Sequence, residues 1–299
     1  MAQVLADDQL VATTSATPPG MLHMLSRNRI AMVAAVVIAG FLLMAALAPA
    51  LAPHDPNQQH PEAIRLPPAW ESEGSQAFLL GTDSLGRDLL SRIIYGARVS
   101  IMLGVAVVLL TMVVGTGLGM LAGYFGGPFD AIASRVVDVL LAFPFLIFAL
   151  AIMAATGPNL TALVLALAFK GWVDFYRVVR GDVLSARGAA YVIAARGLGA
   201  STPHILFREI LPNIVPPIIV VAALRMATII IAEASLSFLG IGVPPSIPAW
   251  GTMVSDGRAD IAAAWWIATF PGLAILLLVL SVNLFGEGLR DALDPRMGL

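Results

Sequence analysis

The sequence predicts an all-α integral membrane protein with six transmembrane helices. Hydrophobic residues make up 59% of the 299 residues and charged residues only 12%, whereas soluble domains carry about 25% charged residues. Mean hydropathy is correspondingly high, at +0.88. A helix needs about 20 mostly apolar residues to cross a hydrocarbon core of roughly 30 Å. Long apolar runs of this length recur along the chain without the two-residue alternation of barrel strands, which favours helices.

Six apolar runs meet this length requirement and define the predicted organisation. They cover residues 30–52, 99–122, 136–156, 159–180, 213–240 and 263–286. We expect a cytoplasmic N-terminal tail (1–29), the first transmembrane helix, an extracytoplasmic loop (53–98), a domain of five helices (99–287) and a cytoplasmic C-terminal tail (288–299). The first run exceeds the apolar core of about 7–15 residues in a signal peptide, so we expect it to be retained.

The distribution of arginine predicts the orientation in the membrane. With the N-terminus inside, the cytoplasmic segments hold ten arginines and the outer segments five. The cytoplasmic ten are Arg27, Arg29, Arg135, Arg177, Arg180, Arg187, Arg196, Arg208, Arg290 and Arg296. Because basic residues accumulate on the cytoplasmic side, we expect both termini to be cytoplasmic.

Several classes of function are disfavoured by what the sequence lacks. Its sole lysine, Lys170, is not in a G-x-x-x-x-G-K-[ST] context, so we expect no ATP site of that kind in this chain. The four histidines form no H-E-x-x-H pair, and there is no cysteine and no G-x-S-x-G motif. A net charge of −2 offers no basic surface for nucleic acid. We therefore expect neither an enzyme nor a metal protein.

One polar stretch, YVIAARGLGASTPHILFREILPN at 191–213, interrupts the apolar runs on the predicted cytoplasmic side. Gly199 is a typical left-handed residue at a helix end, and Thr202 can cap a second helix. Pro212 is expected to end that helix before the fifth span. The pattern predicts two short helices with a tight bend, which serve either as a docking surface or only as a connector.

The loop before the second span carries two acid-first pairs, Asp83 with Arg87 and Asp88 with Arg92, at helical spacing. With an apolar stripe at Leu85, Leu89 and Ile93, they predict an amphipathic elbow helix at the outer interface. It would either lead the chain into the second span or contact a partner protein outside the membrane.

Charges within the spans are sparse. Lys170, Asp174 and Arg177 are predicted to neutralise one another near the inner end of the fourth span. Arg225 and Glu233 are expected to face one cavity, where they would line a translocation path or hold an interface with a partner membrane subunit.

Glycine and proline predict two local features. The run GTGLG at 115–119, continued by Gly123, predicts close packing of the second span. Pro144 predicts a kink in the third span.

Several motifs together resemble one family. The polar stretch matches the cytoplasmic loop of the integral membrane subunits of bacterial ABC importers at Tyr191, Ala194, Ala195, Gly199, Leu211 and Pro212. The blocks GTDSLGRDLLSRIIYGARVS (81–100), SFLGIGVPPSIPAWGTM (237–253) and NLFGEGLRDALDPR (283–296) resemble the C-type permeases of dipeptide and oligopeptide transporters. The resemblance extends from residue 21 to the C-terminus.

This resemblance implies a type I ABC importer permease fold, in which the coupling loop 181–212 carries a cytoplasmic coupling helix. Two positions depart from the family pattern: Ile193 replaces the expected glutamate, and Glu209 replaces an isoleucine, with Ile210 one position later. The predicted ATPase-coupling residues are Tyr191, Ala194, Ala195, Gly199, Ile210, Leu211 and Pro212.

The resemblance also implies the partners and the task. They are a second, B-type permease, two cytoplasmic ATPases that bind ATP and magnesium, an extracytoplasmic solute-binding protein, and the bilayer of the bacterial inner membrane. The expected substrates are di- and oligopeptides, with nickel, glutathione or opines as alternatives. An ion-coupled secondary transporter is the competing class, and it would need paired midplane carboxylates or inverted repeats.

Overall fold

The fold is a bundle of helices, described in the computed structural model for residues 28–157 and 159–293. The other residues of the two predicted tails, 1–27 and 294–299, lie outside the described residues. The α-helices are α1 (Arg29–Ala46), α2 (Ala48–Leu51), α3 (Leu89–Phe125), α4 (Gly127–Ala142), α5 (Phe145–Thr156), α6 (Leu160–Ala186), α7 (Ala190–Gly197), α8 (Thr202–His204), α9 (Leu211–Phe238), α10 (Trp250–Gly257) and α11 (Trp266–Leu293). A 3-10 turn covers Pro61–Ala63 and a π-helical segment covers Ile205–Ile210.

Length and composition identify most of the predicted spans. Within the described ranges, four helical stretches are long and apolar enough to cross a membrane: α1, α3, the continuous stretch Thr202–Phe238, and α11. The bent pair α4 and α5 makes a fifth if it is one span. The predicted fourth span lies in α6, which has 27 residues but carries charged residues from Lys170 onward and is not among these four stretches.

Glycines bring α3 and α6 into close contact, as predicted. A Cβ on Gly115, Gly119 or Gly123 would collide with the α6 backbone or with Val179 and Val183. The contacts advance along both helices in the same direction, so α3 and α6 run parallel. The chain between them must therefore return across the bundle, and α4 and α5 make that return.

The sequence predicted one kinked helix for the third span. The structure instead has two helices, α4 and α5, whose axes differ by 88°. Phe143 between them is extended, because the ring of Pro144 disfavours helical geometry in the preceding residue. The carbonyl oxygen of Phe143, left without a helical partner, accepts a hydrogen bond from Lys170 Nζ at 2.8 Å.

The predicted amphipathic elbow is not a separate helix. Asp88 caps α3 by accepting from the Ser91 N–H at 3.0 Å, and α3 then continues unbroken into the second span. Arg92 pairs with Asp83 at 3.5 Å instead of Asp88. Asp83 and Arg92 are buried, so this segment packs inside the protein and does not lie at a lipid interface.

The loop before α3 is anchored to the C-terminal half of the chain. Arg87 donates to Asp83 at 2.6 Å and lies 3.5 Å from Asp256 of α10. Trp266 is buried and donates its indole N–H to the Thr82 carbonyl at 3.1 Å. The loop thus closes the end of the bundle opposite α7.

Candidate functional site

The short helix α7 ends in a well-defined bend. Gly199 has φ = +80°, a left-handed conformation that favours glycine. The Ala200 N–H donates to Ala195 O and the Gly199 N–H to Arg196 O, both at 3.0 Å. This pair of bonds is a Schellman motif, as the sequence predicted for a helix ending at this glycine.

The second predicted short helix does not end at Pro212. From Thr202 the chain is helical to Phe238, so α8, the π-helical segment and α9 form one stretch of 37 residues. The Leu211 N–H donates to Leu206 O, five residues back, which is the pairing of a π-helix. Pro212 lies in the first turn of α9. Because the π-helical hydrogen bonds before it are shifted by one residue, no backbone N–H is required at position 212.

The predicted coupling residues differ in their exposure. Tyr191, Ala194, Gly199 and Pro212 are exposed. Ala195 and Leu211 are half-buried, and both pack against the main hydrophobic core. Ile210 is fully buried in that core, so it supports the surface from beneath and cannot contact a partner directly.

Exposed apolar side chains lie on α7, at its end and on the helical segment that follows, and the sequence reasoning missed them in part. Leu198 is 88% exposed at the bend, and Ile193 and Phe207 are 57% and 62% exposed. In the sequence, the signal for this surface was the presence of large apolar residues within the otherwise polar stretch 191–213. We call Ile193, Leu198 and Phe207 the apolar patch.

Buried and hydrogen-bonded residues beneath the apolar patch hold α7 in a fixed position. Val192 of α7 is fully buried in the main core. On the other side, Arg196 Nη2 lies 3.3 Å from the Tyr124 hydroxyl and stands over its ring, and Arg187 donates to the Gly123 carbonyl at 3.3 Å. These contacts attach α7 and the end of α6 to the end of α3.

The charged residues within the helices pair differently from the prediction. Asp174 of α6 binds Arg225 of α9, with Oδ1 and Nη2 2.5 Å apart, and Lys170 reaches Phe143. A cavity of 530 Å³ between α6 and α9 is lined by Asp174, Arg177 and Arg225. Arg225 is therefore at a cavity, as expected.

Glu233 does not share that cavity. It is 1% exposed and accepts hydrogen bonds from Ser237 at 2.8 Å and from Ser100 of α3 at 3.2 Å. Ser237 in turn accepts from the Val243 N–H at 3.2 Å. Glu233 therefore joins α9 to α3 and to the following loop, and the predicted joint cavity with Arg225 is wrong.

Comparison with known families now assigns the chain. Residues 115–299 match the model of the binding-protein-dependent transport system inner membrane component. The chain belongs to this permease family. Residues 20–68 also match the N-terminal transmembrane domain of oligopeptide transport permease C. Membership bears out the resemblance seen in the sequence and makes the chain a membrane subunit, not an enzyme of the classes considered above.

Relatives match the permease over most of its length. The dipeptide transport system permease protein DppC of Escherichia coli strain K12 is 45% identical over 298 residues, 99% of each chain. Its counterpart in Haemophilus influenzae is 42% identical over 271 residues, covering 91% of this chain and 92% of the relative. The glutathione transport system permease protein GsiD of Pectobacterium atrosepticum is 47% identical and covers 75% of this permease and 74% of that protein.

A solved structure supports the fold. A chain from inward-facing conformations of the MetNI methionine ABC transporter superposes with a TM-score of 0.57 and 17% identity, covering 69% of this permease and 98% of that chain. At this identity the match supports the ABC permease fold alone.

Proposed function

We propose that this chain is the transmembrane permease subunit of an ATP-driven importer that moves di- and oligopeptides into the cytoplasm by alternating access. The observation that carries the proposal is the apolar patch, which lies on α7 and on the segment Ile205–Ile210, both of which bury their inner sides in the core. An exposed apolar surface on a rigid base is suited to binding another protein. The dipeptide permeases among the relatives support the substrate class.

The proposed assembly contains four further subunits. A B-type permease completes the membrane domain. Two ATPases, which bind ATP and magnesium, dock on the face of the membrane domain that carries α7. A solute-binding protein delivers substrate at the opposite end. The absence of a P-loop sequence around Lys170 is consistent with ATP hydrolysis on separate subunits. We propose that both termini and α7 lie on the cytoplasmic side of the inner membrane, and the distribution of arginine supports this orientation.

The contacts of α7 suggest how a movement of the ATPases would reach the helices. A displacement of Leu198 by an ATPase would move α7. The contact of Val192 with the core and that of Arg196 with Tyr124 would transmit this movement to the bundle and to the end of α3. No flexible linker intervenes between Thr202 and the end of α9 at Phe238. A bundle with two arrangements could therefore be biased by the nucleotide state of its partners.

A permease of the same type for glutathione is the second candidate, because one relative carries that function in its name. Direct uptake separates the two: with ATP, a dipeptide importer should take up labelled L-alanyl-L-alanine and not labelled glutathione, and a glutathione importer should do the reverse. An ion-coupled transporter would instead import the peptide without ATP.

Leu198→Asp tests the coupling surface. In vesicles with all partner subunits, we expect peptide uptake to fall by about tenfold, because a charge replaces an apolar contact at an interface where hot spots cost about 2 kcal/mol or more. Membrane insertion should be normal, since the side chain is 88% exposed and supports no packing.

Gly199 and Ala195, on either side of Leu198, provide two further tests and one control. Gly199→Pro should uncouple ATP hydrolysis from uptake, because proline cannot adopt φ = +80°, whereas Gly199→Asn should be tolerated. Ala195→Trp should act like Gly199→Pro, because Ala195 packs against the core. Normal uptake by the Leu198, Gly199→Pro and Ala195 variants would show that the ATPases dock elsewhere.

A further inference from the structure

We propose that the cavity between α6 and α9 binds both charged termini of a peptide in transit, with Arg225 receiving the carboxylate and Asp174 the α-amino group. This inference rests on the proposed function and adds a site to it. It concerns this chain's own contact with the substrate, separate from the selectivity of a binding protein.

The cavity has the dimensions of a small-ligand site. Its volume of 530 Å³ falls within the range of about 300–1,000 Å³ found for ligand pockets. A second cavity of 250 Å³ adjoins it and shares Asp174, Arg225 and Thr228, while adding Lys170 to the lining. The Asp174–Arg225 ion pair therefore lines both spaces, where a ligand can reach both charges.

The charges of the lining favour an anion. The two cavities are lined by three basic side chains, Lys170, Arg177 and Arg225, against one carboxylate, Asp174. Asp174 is neutralised by Arg225 at 2.5 Å, and Lys170 is held by the Phe143 carbonyl. A charged residue within a span costs about 2.5–3.5 kcal/mol on insertion scales, so a cluster with excess positive charge indicates a binding task.

A zwitterion fits this cluster better than a simple anion does. The planar guanidinium of Arg225 matches a carboxylate with two parallel hydrogen bonds, and Asp174 can accept from an ammonium group. The remaining wall is apolar, with Val178, Val221 and Leu224, which suits side chains of varied shape. A site that reads the termini and leaves the side chains in an apolar space would accept many peptides.

The same pair explains why such a site could release its ligand. Without peptide, Asp174 and Arg225 compensate each other; with peptide, each exchanges its partner for a peptide terminus. The number of ion pairs rises by one while the desolvated charges rise by two, so much of the gain is offset by desolvation. Weak binding is what a transport pathway requires.

The test compares L-alanyl-L-alanine with L-alanyl-L-alaninamide, which lacks the carboxylate. The complete importer, with its ATPases, second permease and binding protein, is reconstituted in vesicles with either the native chain or Arg225→Gln. We expect Arg225→Gln to lower uptake of L-alanyl-L-alanine by about tenfold, the scale of one lost charged hydrogen bond. The ratio of dipeptide to amide uptake should fall towards one. Because the same binding protein serves both, a changed ratio reports the permease.

The controls use neighbouring charges. Arg180→Gln removes another ion pair between helices, that of Arg180 with Asp130, and should leave the ratio unchanged. Arg225→Lys keeps the charge but loses the planar fork, so we expect an intermediate ratio. Binding-protein-stimulated ATP hydrolysis should stay within twofold of the native rate in the Arg225 variants, because the coupling surface is untouched.

Two results would overturn the inference. One is an unchanged ratio of dipeptide to amide uptake in Arg225→Gln, including the case in which both uptakes fall equally. The other is loss of the second permease from the purified Arg225→Gln complex, which would assign Arg225 to the subunit interface. Failure of the proposed function is distinct from both, since the native complex itself would then import no dipeptide with ATP.

Discussion

Single glycines decide how closely α3 and α6 approach. Gly115, Gly119 and Gly123 lie one turn apart, and each faces the α6 backbone at a distance that leaves no room for a Cβ. Their spacing predicted close packing from the sequence alone. The partner helix could not be predicted, because a stripe of small residues fits any neighbour.

The glycine contacts give a matched prediction. Gly119→Val should destabilise the folded permease by about 1–3 kcal/mol, the usual cost of overpacking, because Tyr176 O and Val179 would have to move. Gly117→Val, two residues away, should change little, since no atom lies within 4 Å of a Cβ there. Thermal unfolding of the purified chain, followed by size-exclusion chromatography, measures both. Equal melting temperatures would contradict the packing described here.

Arg225 and Glu233 show the limit of residue-level prediction. Their spacing on one helix suggested a shared cavity, but azimuth on a helix does not reveal what neighbouring helices cover. Ser100 of α3 and Ser237 enclose Glu233, while α6 leaves Arg225 open to the cavity. Ion pairs between helices, such as that of Asp174 with Arg225, likewise depend on packing that one sequence does not display.

At the scale of elements, two prolines have opposite outcomes. Pro144 separates α4 from α5 by 88°, whereas Pro212 lies in an unbroken helix. Each was predicted to interrupt a helix, and the sequence supports that expectation equally for both. The difference arises from the π-helical segment, which shifts the hydrogen-bond register before Pro212, while Lys170 stabilises the open break beside Pro144.

The anchored loop at the opposite end predicts a pH effect. Partial desolvation raises the pKa of Asp256 above its ordinary value, although its side chain is still 43% exposed; Arg87 and Arg92 act against the shift and Asp83 with it. A raised carboxyl pKa means that the folded state binds the proton more tightly, so this group opposes folding above that pKa and ceases to do so as the pH falls through it. Asp256→Asn should therefore stabilise the loop most at neutral pH.

Melting temperatures of the native chain and Asp256→Asn, compared between about pH 4 and pH 8, check this sign. The advantage of the variant should shrink as the pH falls through the raised pKa towards the ordinary value near 3.8. An advantage that grows in acid would mean that the ion pair with Arg87, at 3.5 Å, outweighs desolvation.

At the scale of the whole molecule, the sequence predicted the helical membrane class, because long apolar runs are a strong signal. Among the described residues, four of the six predicted spans lie in helices long and apolar enough to cross a membrane, and the count of six is not confirmed. It did not predict that α3 and Thr202–Phe238 would each be continuous over 37 residues. Helices of this length, about 56 Å, exceed the hydrocarbon thickness of about 30 Å and project beyond it. Their polar ends resemble loops when only one sequence is read.

The orientation of the whole chain can be measured directly because the sequence contains no cysteine. Leu198→Cys and Trp70→Cys introduce single thiols at exposed side chains, at opposite ends of the bundle. A membrane-impermeant maleimide should label position 70 from outside intact spheroplasts and position 198 only in inverted vesicles. Labelling of both from one side would contradict the proposed topology.

The continuous helix from Thr202 to Phe238 has a mechanical consequence. This helix contains both Phe207, which belongs to the apolar patch, and Arg225, which lines the cavity. The two residues are separated by about 27 Å along the helix axis. With the proposed assignments, a nucleotide-driven twist of a few degrees at one end would carry the guanidinium towards or away from Asp174 at the other. Closing the ATPases and loosening the grip on a peptide would then be one rotation.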